Sequence, residues 1–196
     1  MNRHFSRKLG LIVLVMLVAE IGALQSAWGG FQKGVVAQRE NDYATALKEF
    51  RPLAEQGHLG SQLKMGLYYE RGYGVPKDDK EAVRWYRMAA EQGDSQARLK
   101  LGWMYESGHG VPQSNEEAVR WYRMVAEQGI PKAQLIMGIM YENGRGVPND
   151  YKEAARWYRI ATENGYPASQ SHASRMEPLI IKQERAEEKE RKRRII

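Results

Sequence analysis

There is no cysteine among the 196 residues, which excludes a disulfide framework, a thiolate metal site and a cysteine nucleophile. Histidine is scarce: His4, His58, His109 and His172 are the four, and none is paired at metal-ligand spacing. No glycine-rich phosphate loop joins a strand to a helix, and no serine stands in a nucleophile-elbow context. Long apolar runs are missing too, since the one at Leu9–Ala19 falls well short of the roughly 20 residues a bilayer span needs. The formal net charge is +6, yet residues 30–181 carry 20 basic and 19 acidic side chains, so the surplus sits at the two ends. A nucleic-acid-binding domain clusters its positive charge on a folded face, and the sequence therefore implies no nucleic-acid partner. What remains is 42% hydrophobic, an ordinary globular composition. The length suits one medium domain or one short repeat array.

Arg3, His4, Arg7 and Lys8 precede the apolar run, and Ala27-Trp28-Gly29 follows it as a small-x-small pattern. This order reads as an export signal over residues 1–29, cleaved after Gly29. Cleavage after Ala27 and an uncleaved signal anchor in the inner membrane are the alternatives. Beyond a membrane, a chain without cysteine depends on packing alone for stability.

The rest of the chain has a period. Trp85, Trp121 and Trp157 stand 36 residues apart, as do Gly66, Gly102 and Gly138, and Tyr69, Tyr105 and Tyr141. Ala-Val-Arg-Trp-Tyr-Arg at 82–87 returns at 118–123, and as Ala-Ala-Arg-Trp-Tyr-Arg at 154–159. Repetition on this scale, without an insertion or deletion, is the mark of a solenoid.

Each copy reads as two helices. The first spans about Gln62 to Arg71 and stops at Gly72, which suits a left-handed cap. Gly72-Tyr73-Gly74-Val75-Pro76 is a loop. Asp78 with Glu81, Ser114 with Glu117, and Asp150 with Glu153 have the spacing of a capping box that opens each second helix; Gly93, Gly129 and Gly165 close them. Ser61, Met65, Tyr68 and Tyr69 share one face of the first helix, and Ala82, Tyr86, Ala89 and Ala90 form the stripe of the second. One pair cannot bury both faces, so neighbouring units stack.

Ala-x-x-x-Leu-Gly-x-x-Tyr-x-x-Gly-x-Gly-Val-Pro followed by Ala-x-x-Trp-Tyr-x-x-Ala-Ala resembles the Sel-one-like repeat, a 36-residue relative of the tetratricopeptide repeat. The resemblance covers three units, 61–96, 97–132 and 133–168. It implies an all-α fold, a right-handed α-solenoid of antiparallel helix pairs. Residues 30–60 look like a plain tetratricopeptide unit that caps the N-terminal end, with Asn41-Asp42-Tyr43-Ala44 as its shorter turn. Residues 169–181 read as a C-terminal capping helix interrupted at Pro178, and 182–196 as a solvated, partly helical, charged basic tail. A weak contact of that tail with an anionic membrane, or a contact with nucleic acid, is the alternative reading.

Two surfaces carry candidate function. The arginines of the Arg-Trp-Tyr-Arg ladder suggest a cation–π surface, but Glu81–Arg84 and Arg87–Glu91 have intrahelical pairing distances that recur in every copy, which explains the ladder without a ligand. The backs of the first helices are the better candidate, because at about 100° per residue positions 63, 67 and 70 lie opposite the packing face. They hold Leu63, Leu67 and Glu70, then Leu99, Trp103 and Glu106, then Leu135, Ile139 and Glu142. By resemblance, solenoids of this kind line their concave side with this face, as an apolar groove rimmed by acids that takes an extended peptide or an amphipathic helix. Trp103 is the expected hot spot. The leucines, identical in all copies, serve packing equally well, and the variable loop tips Tyr73, His109 and Arg145 form a second surface.

The expectation is an exported, periplasmic or secreted bacterial adaptor that binds another protein or peptide, is not an enzyme and uses no cofactor or metal. A membrane-tethered envelope scaffold is the second reading. Some secreted members of the resembling family are linked to penicillin binding or β-lactamase-like activity. Those are cysteine-rich and this chain is not, so a secreted hydrolase is the last reading.

Overall fold

The computed structural model describes residues 25–194, and every regular element among them is a helix. The chain divides into two compact units, one ending at Asp78 and the other beginning at Asp79. The N-terminal unit holds α1 (residues 25–39), α2 (Tyr43–Glu55) and α3 (Leu59–Arg71). The C-terminal unit holds α4 (Asp79–Glu91), α5 (Ser95–Ser107), α6 (Asn115–Ala126), α7 (Pro131–Asn143), α8 (Tyr151–Glu163) and α9 (Ser169–Arg194).

In the N-terminal unit, Asn41 turns the chain with φ 61° and Asp42 caps α2 by accepting from Thr45 N at 3.0 Å. A β-carbon at Gly34 would overlap the Phe50 ring, so glycine is what lets α1 lie against α2. Phe50 is fully buried and meets Phe31 and Tyr68 at 5.5 and 5.9 Å between ring centroids. Helix α3 starts at Leu59, earlier than the expected Gln62, because His58 Nδ1 accepts from Ser61 N at 3.2 Å and caps it. It ends at Gly72 in the left-handed conformation, as the pattern predicts.

Through residue 24, the export signal expected at 1–29 lies outside the described residues. Residues 25–29 lie in the described part of α1. Trp28 there is 64% exposed and a β-carbon at Gly29 would meet nothing, whereas Phe31 packs on Phe50. No helix among the described residues is long and apolar enough to cross a membrane.

In the C-terminal unit each helix packs on the next from α4 to α9. Tyr122 and Tyr158 lie across Gly102 and Gly138, where any β-carbon would overlap the ring. The small-residue stripes are buried as expected: Ala82, Ala89, Ala90, Ala118, Ala126, Ala154 and Ala161 are all at most 1% exposed. Loop glycines bring backbone onto backbone, since a β-carbon at Gly146 would strike the Asn115 carbonyl at the start of α6.

Hydrogen bonds repeat with the sequence, though not always as expected. The capping box is only half formed. Ser114 Oγ accepts from Glu117 N at 3.2 Å and Asp150 Oδ1 from Glu153 N at 3.0 Å. The cap N–H groups, however, donate to the carbonyls of Tyr105 and Tyr141 at 2.9 and 3.1 Å. That leaves Glu117 and Glu153 to bridge Arg120 and Arg156, one helical turn on. The anticipated Arg87–Glu91 pairing and its repeat do not form. Arg87 and Arg123 donate instead to the hydroxyls of Tyr105 and Tyr141 at 2.6 and 2.9 Å, as Arg51 does to Tyr69 in the N-terminal unit. A half-buried hydroxyl needs a partner more than an exposed, solvated carboxylate does. A further ladder has no precedent in the sequence reading: Gln62, Arg98 and Gln134 donate to the carbonyls of Ala54, Ala90 and Ala126. These are last-turn carbonyls, each of which also accepts from the N–H of the glycine that follows its helix, Gly57, Gly93 or Gly129.

The C-terminus departs from expectation. Helix α9 runs unbroken through Pro178 to Arg194. Proline removes one hydrogen bond, but Ser174 and Pro178 are both exposed, so water reaches the freed carbonyl. Met176 is fully buried and Leu179 and Ile180 pack on the α8 core. The tail is docked through its first turn: Gln183 bonds Tyr151 N and Asn149 O, and Glu184 pairs with Lys152 at 2.7 Å.

Candidate functional site

The nine residues of the expected binding face separate into three environments. In the N-terminal unit, Leu63 and Leu67 are half-buried, while Glu70 is 8% exposed beside Arg71. In the C-terminal unit, Leu99 packs on the core shared by α6 and α7, and Leu135 and Ile139 pack on the core of α8 and α9. These aliphatic side chains are committed to internal packing on at least one side. Trp103 differs, because 42% of it remains exposed.

The acids expected to rim the groove are engaged in hydrogen bonds at two of the three positions. Glu106 Oε2 accepts from the Tyr122 hydroxyl at 3.0 Å and Oε1 from Arg145 at 3.4 Å. Glu142 likewise takes the Tyr158 hydroxyl and Arg175. Burial, reinforced by Glu106, pushes the Tyr122 phenol up. Burial followed by the hydrogen bond to Glu142 does the same at Tyr158. Both phenols thus stay protonated donors and hold the carboxylates inward. Glu106 and Glu142 thus anchor the second helices of their units, a role the spacing alone did not reveal.

Trp103 lies beside a cleft of about 470 Å³ lined with Glu106, Ser107, Gln113, Asn115 and Arg145. His109 stacks on the indole, with centroids 4.8 Å apart and planes 13° from parallel. Ser107 Oγ donates to Trp103 O at 2.6 Å, so its contact with His109 Nδ1 runs from the ring N–H to the hydroxyl oxygen. The indole is therefore held in place before any ligand arrives. The helix back and the loop tips, two surfaces in the sequence reading, meet here: Trp103 comes from the first, His109 and Arg145 from the second. Tyr73, the third loop tip, stacks on Tyr43 within the N-terminal unit instead. Gln113 and Asn115 were missed. Their signal was present in the sequence, since positions 77, 113 and 149 read Lys, Gln, Asn and positions 79, 115 and 151 read Asp, Asn, Tyr.

Packed helix pairs tied together at a fixed period define an α-solenoid repeat protein. The chain belongs to the Sel1 repeat family, whose model matches residues 60–94, 95–130 and 131–166. Among solved structures it is similar to a protective antigen of uropathogenic Escherichia coli with an SLR fold (TM-score 0.70, 39% identity, 76% of this chain and 33% of that one). It is also similar to a Sel1 repeat protein from Oxalobacter formigenes (TM-score 0.67, 36% identity, 73% and 59%). Cysteine rich protein B of Helicobacter pylori shares the fold at 19% identity (TM-score 0.51, 66% and 93%). The chain spans about a third of the Escherichia coli antigen and 59% of the Oxalobacter protein. No curated protein matches it. Sel1 repeats commonly build protein-interaction scaffolds and are generally non-catalytic.

Proposed function

We propose that this chain is an exported, non-enzymatic adaptor that docks another protein on the first-helix face containing Trp103. The observation that carries the reading is Trp103 itself. Its neighbours on that face are drawn into packing, while this large aromatic stays exposed beside a cleft and is fixed by His109. A pre-positioned aromatic contributes most at an interface, because little side-chain freedom is lost on binding.

Export is supported by the signal pattern and by where packing begins. Trp28 is 64% exposed and Phe31 is the first aromatic among the described residues to pack on the core, which fits a boundary near Gly29. The mass of the protein in the cell envelope separates release, with loss of residues 1–29, from a tethered chain of full length. The basic last turn of α9, Arg191–Arg194, supports a weak contact with anionic lipid.

Cross-linking capture from the envelope, comparing wild type with Trp103→Glu, tests the docking face. A partner captured by wild type and lost from a variant of unchanged helicity and melting temperature is the expected result. The same captured set from both proteins removes this face from consideration.

A further inference from the structure

Resting on the docking reading above, we infer that the Trp103 cleft takes an acidic peptide, with a carboxylate on Arg145 and a neighbouring aromatic side chain against the indole. Glutamates at a groove rim would by themselves favour a basic partner. The hydrogen bonds reverse that polarity. Glu106 and Glu142 are 29% and 18% exposed and each is already held by a tyrosine hydroxyl, while the arginines paired with them, Arg145 and Arg175, are 53% and 56% exposed. What the face offers to a partner is therefore the guanidinium edge of each pair. Only one nitrogen of Arg145 reaches Glu106, at 3.4 Å, so the fork geometry that suits a carboxylate is still available. Lys100 Nζ lies 5.8 Å from the Trp103 ring.

The remaining groups suit a peptide backbone. Asn115 lines the cleft with both a donor and an acceptor, and its side chain makes no hydrogen bond among the described residues. Gln113 spends its amide N–H on the Glu106 carbonyl at 2.8 Å, which turns its own carbonyl oxygen into an acceptor for a ligand N–H. An N–H and C=O pair beside an apolar ring and a carboxylate is the chemistry of an aromatic residue followed by aspartate or glutamate.

The test uses the purified full-length protein, labelled for NMR, and three capped tetrapeptides: acetyl-Gly-Phe-Asp-Gly-amide, the Phe-Lys analogue and the Ala-Asp analogue. The Phe-Asp peptide is expected to shift the Trp103 indole resonance and to bind about tenfold more tightly than Phe-Lys, the gain of one charge-assisted contact. Arg145→Gln, at an exposed position, erases that preference and leaves the fold intact. Ala-Asp loses most of the binding. Equal affinity for the Asp and Lys peptides, a preference for Lys, or an unmoved Trp103 resonance overturns the inference. If envelope capture is lost with Trp103→Glu while these peptides are not discriminated, the docking face stands and its acidic specificity falls.

Discussion

Glycine and tyrosine act as one structural element at two places in the C-terminal unit. Gly102 and Gly138 leave room for the rings of Tyr122 and Tyr158, whose hydroxyls then reach Glu106 and Glu142 on the same first helices. Gly138→Ala forces the ring outward and is expected to cost about 1–3 kcal/mol, as overpacked cores do, measured by urea unfolding. An unchanged midpoint contradicts this contact. The same tyrosines set a response to alkali. Their folded pKa values lie above the ordinary 10.0 because burial and an adjacent carboxylate disfavour the phenolate. Above that pH the unfolded chain ionises and the folded one does not, so stability present below pH 10 is lost as the pH rises past it. Melting temperature is expected to fall between pH 8 and pH 11, and to fall less in a Tyr122→Phe/Tyr158→Phe variant. Tyr68, raised to about 12 by burial, retains part of the effect. A slope equal to that of wild type overturns the assignment.

The helices show where sequence pattern stops being sufficient. Apolar periodicity located the paired helices, their buried alanine stripes and the left-handed glycine at Gly72, because those features depend on residues within a few positions. The hydrogen-bond ladders depend on residues brought together by packing. Nothing local says that Arg87 prefers Tyr105 to Glu91, or that the Ser114 N–H is already satisfied by Tyr105 O. The length of α9 was missed for the same reason, since it rests on partners at Asn149, Tyr151 and Lys152, whereas the His58 cap is local and was hidden because histidine is not among the usual N-cap residues. Two truncations test α9. Ending the chain after Lys182 removes Gln183 and Glu184 together with the exposed turns, and is expected to lower the melting temperature. Ending it after Arg185 removes exposed turns only and leaves stability within about 0.5 kcal/mol, the usual range for surface changes. If both truncations behave alike, the docked turn contributes nothing.

Taken as a whole molecule, the chain joins a nearly neutral folded body to a basic helix end, with one large aromatic held open on a face whose other residues are engaged. Membership of the Sel1 repeat family was legible from the 36-residue period and the glycine loop, because both are written in single residues. The candidate site was legible in part. Trp103 stood out by varying where its neighbours repeat, but the glutamates beside it were read as a rim when they are anchors, and Gln113 and Asn115 became visible only once the loops were placed. The acidic specificity inferred above therefore rests on hydrogen-bond partners and not on residue types.

The most direct measurement is site-specific photo-cross-linking in the intact envelope. A benzophenone amino acid is placed at Trp103 or Gln113 on the proposed face, and at Arg120 or Arg156 on the exposed side of the second helices. The account predicts one cross-linked partner from positions 103 and 113, and none from 120 and 156. Cross-links formed from the arginine positions and absent at 103 and 113 would place the partner on the other face and contradict it.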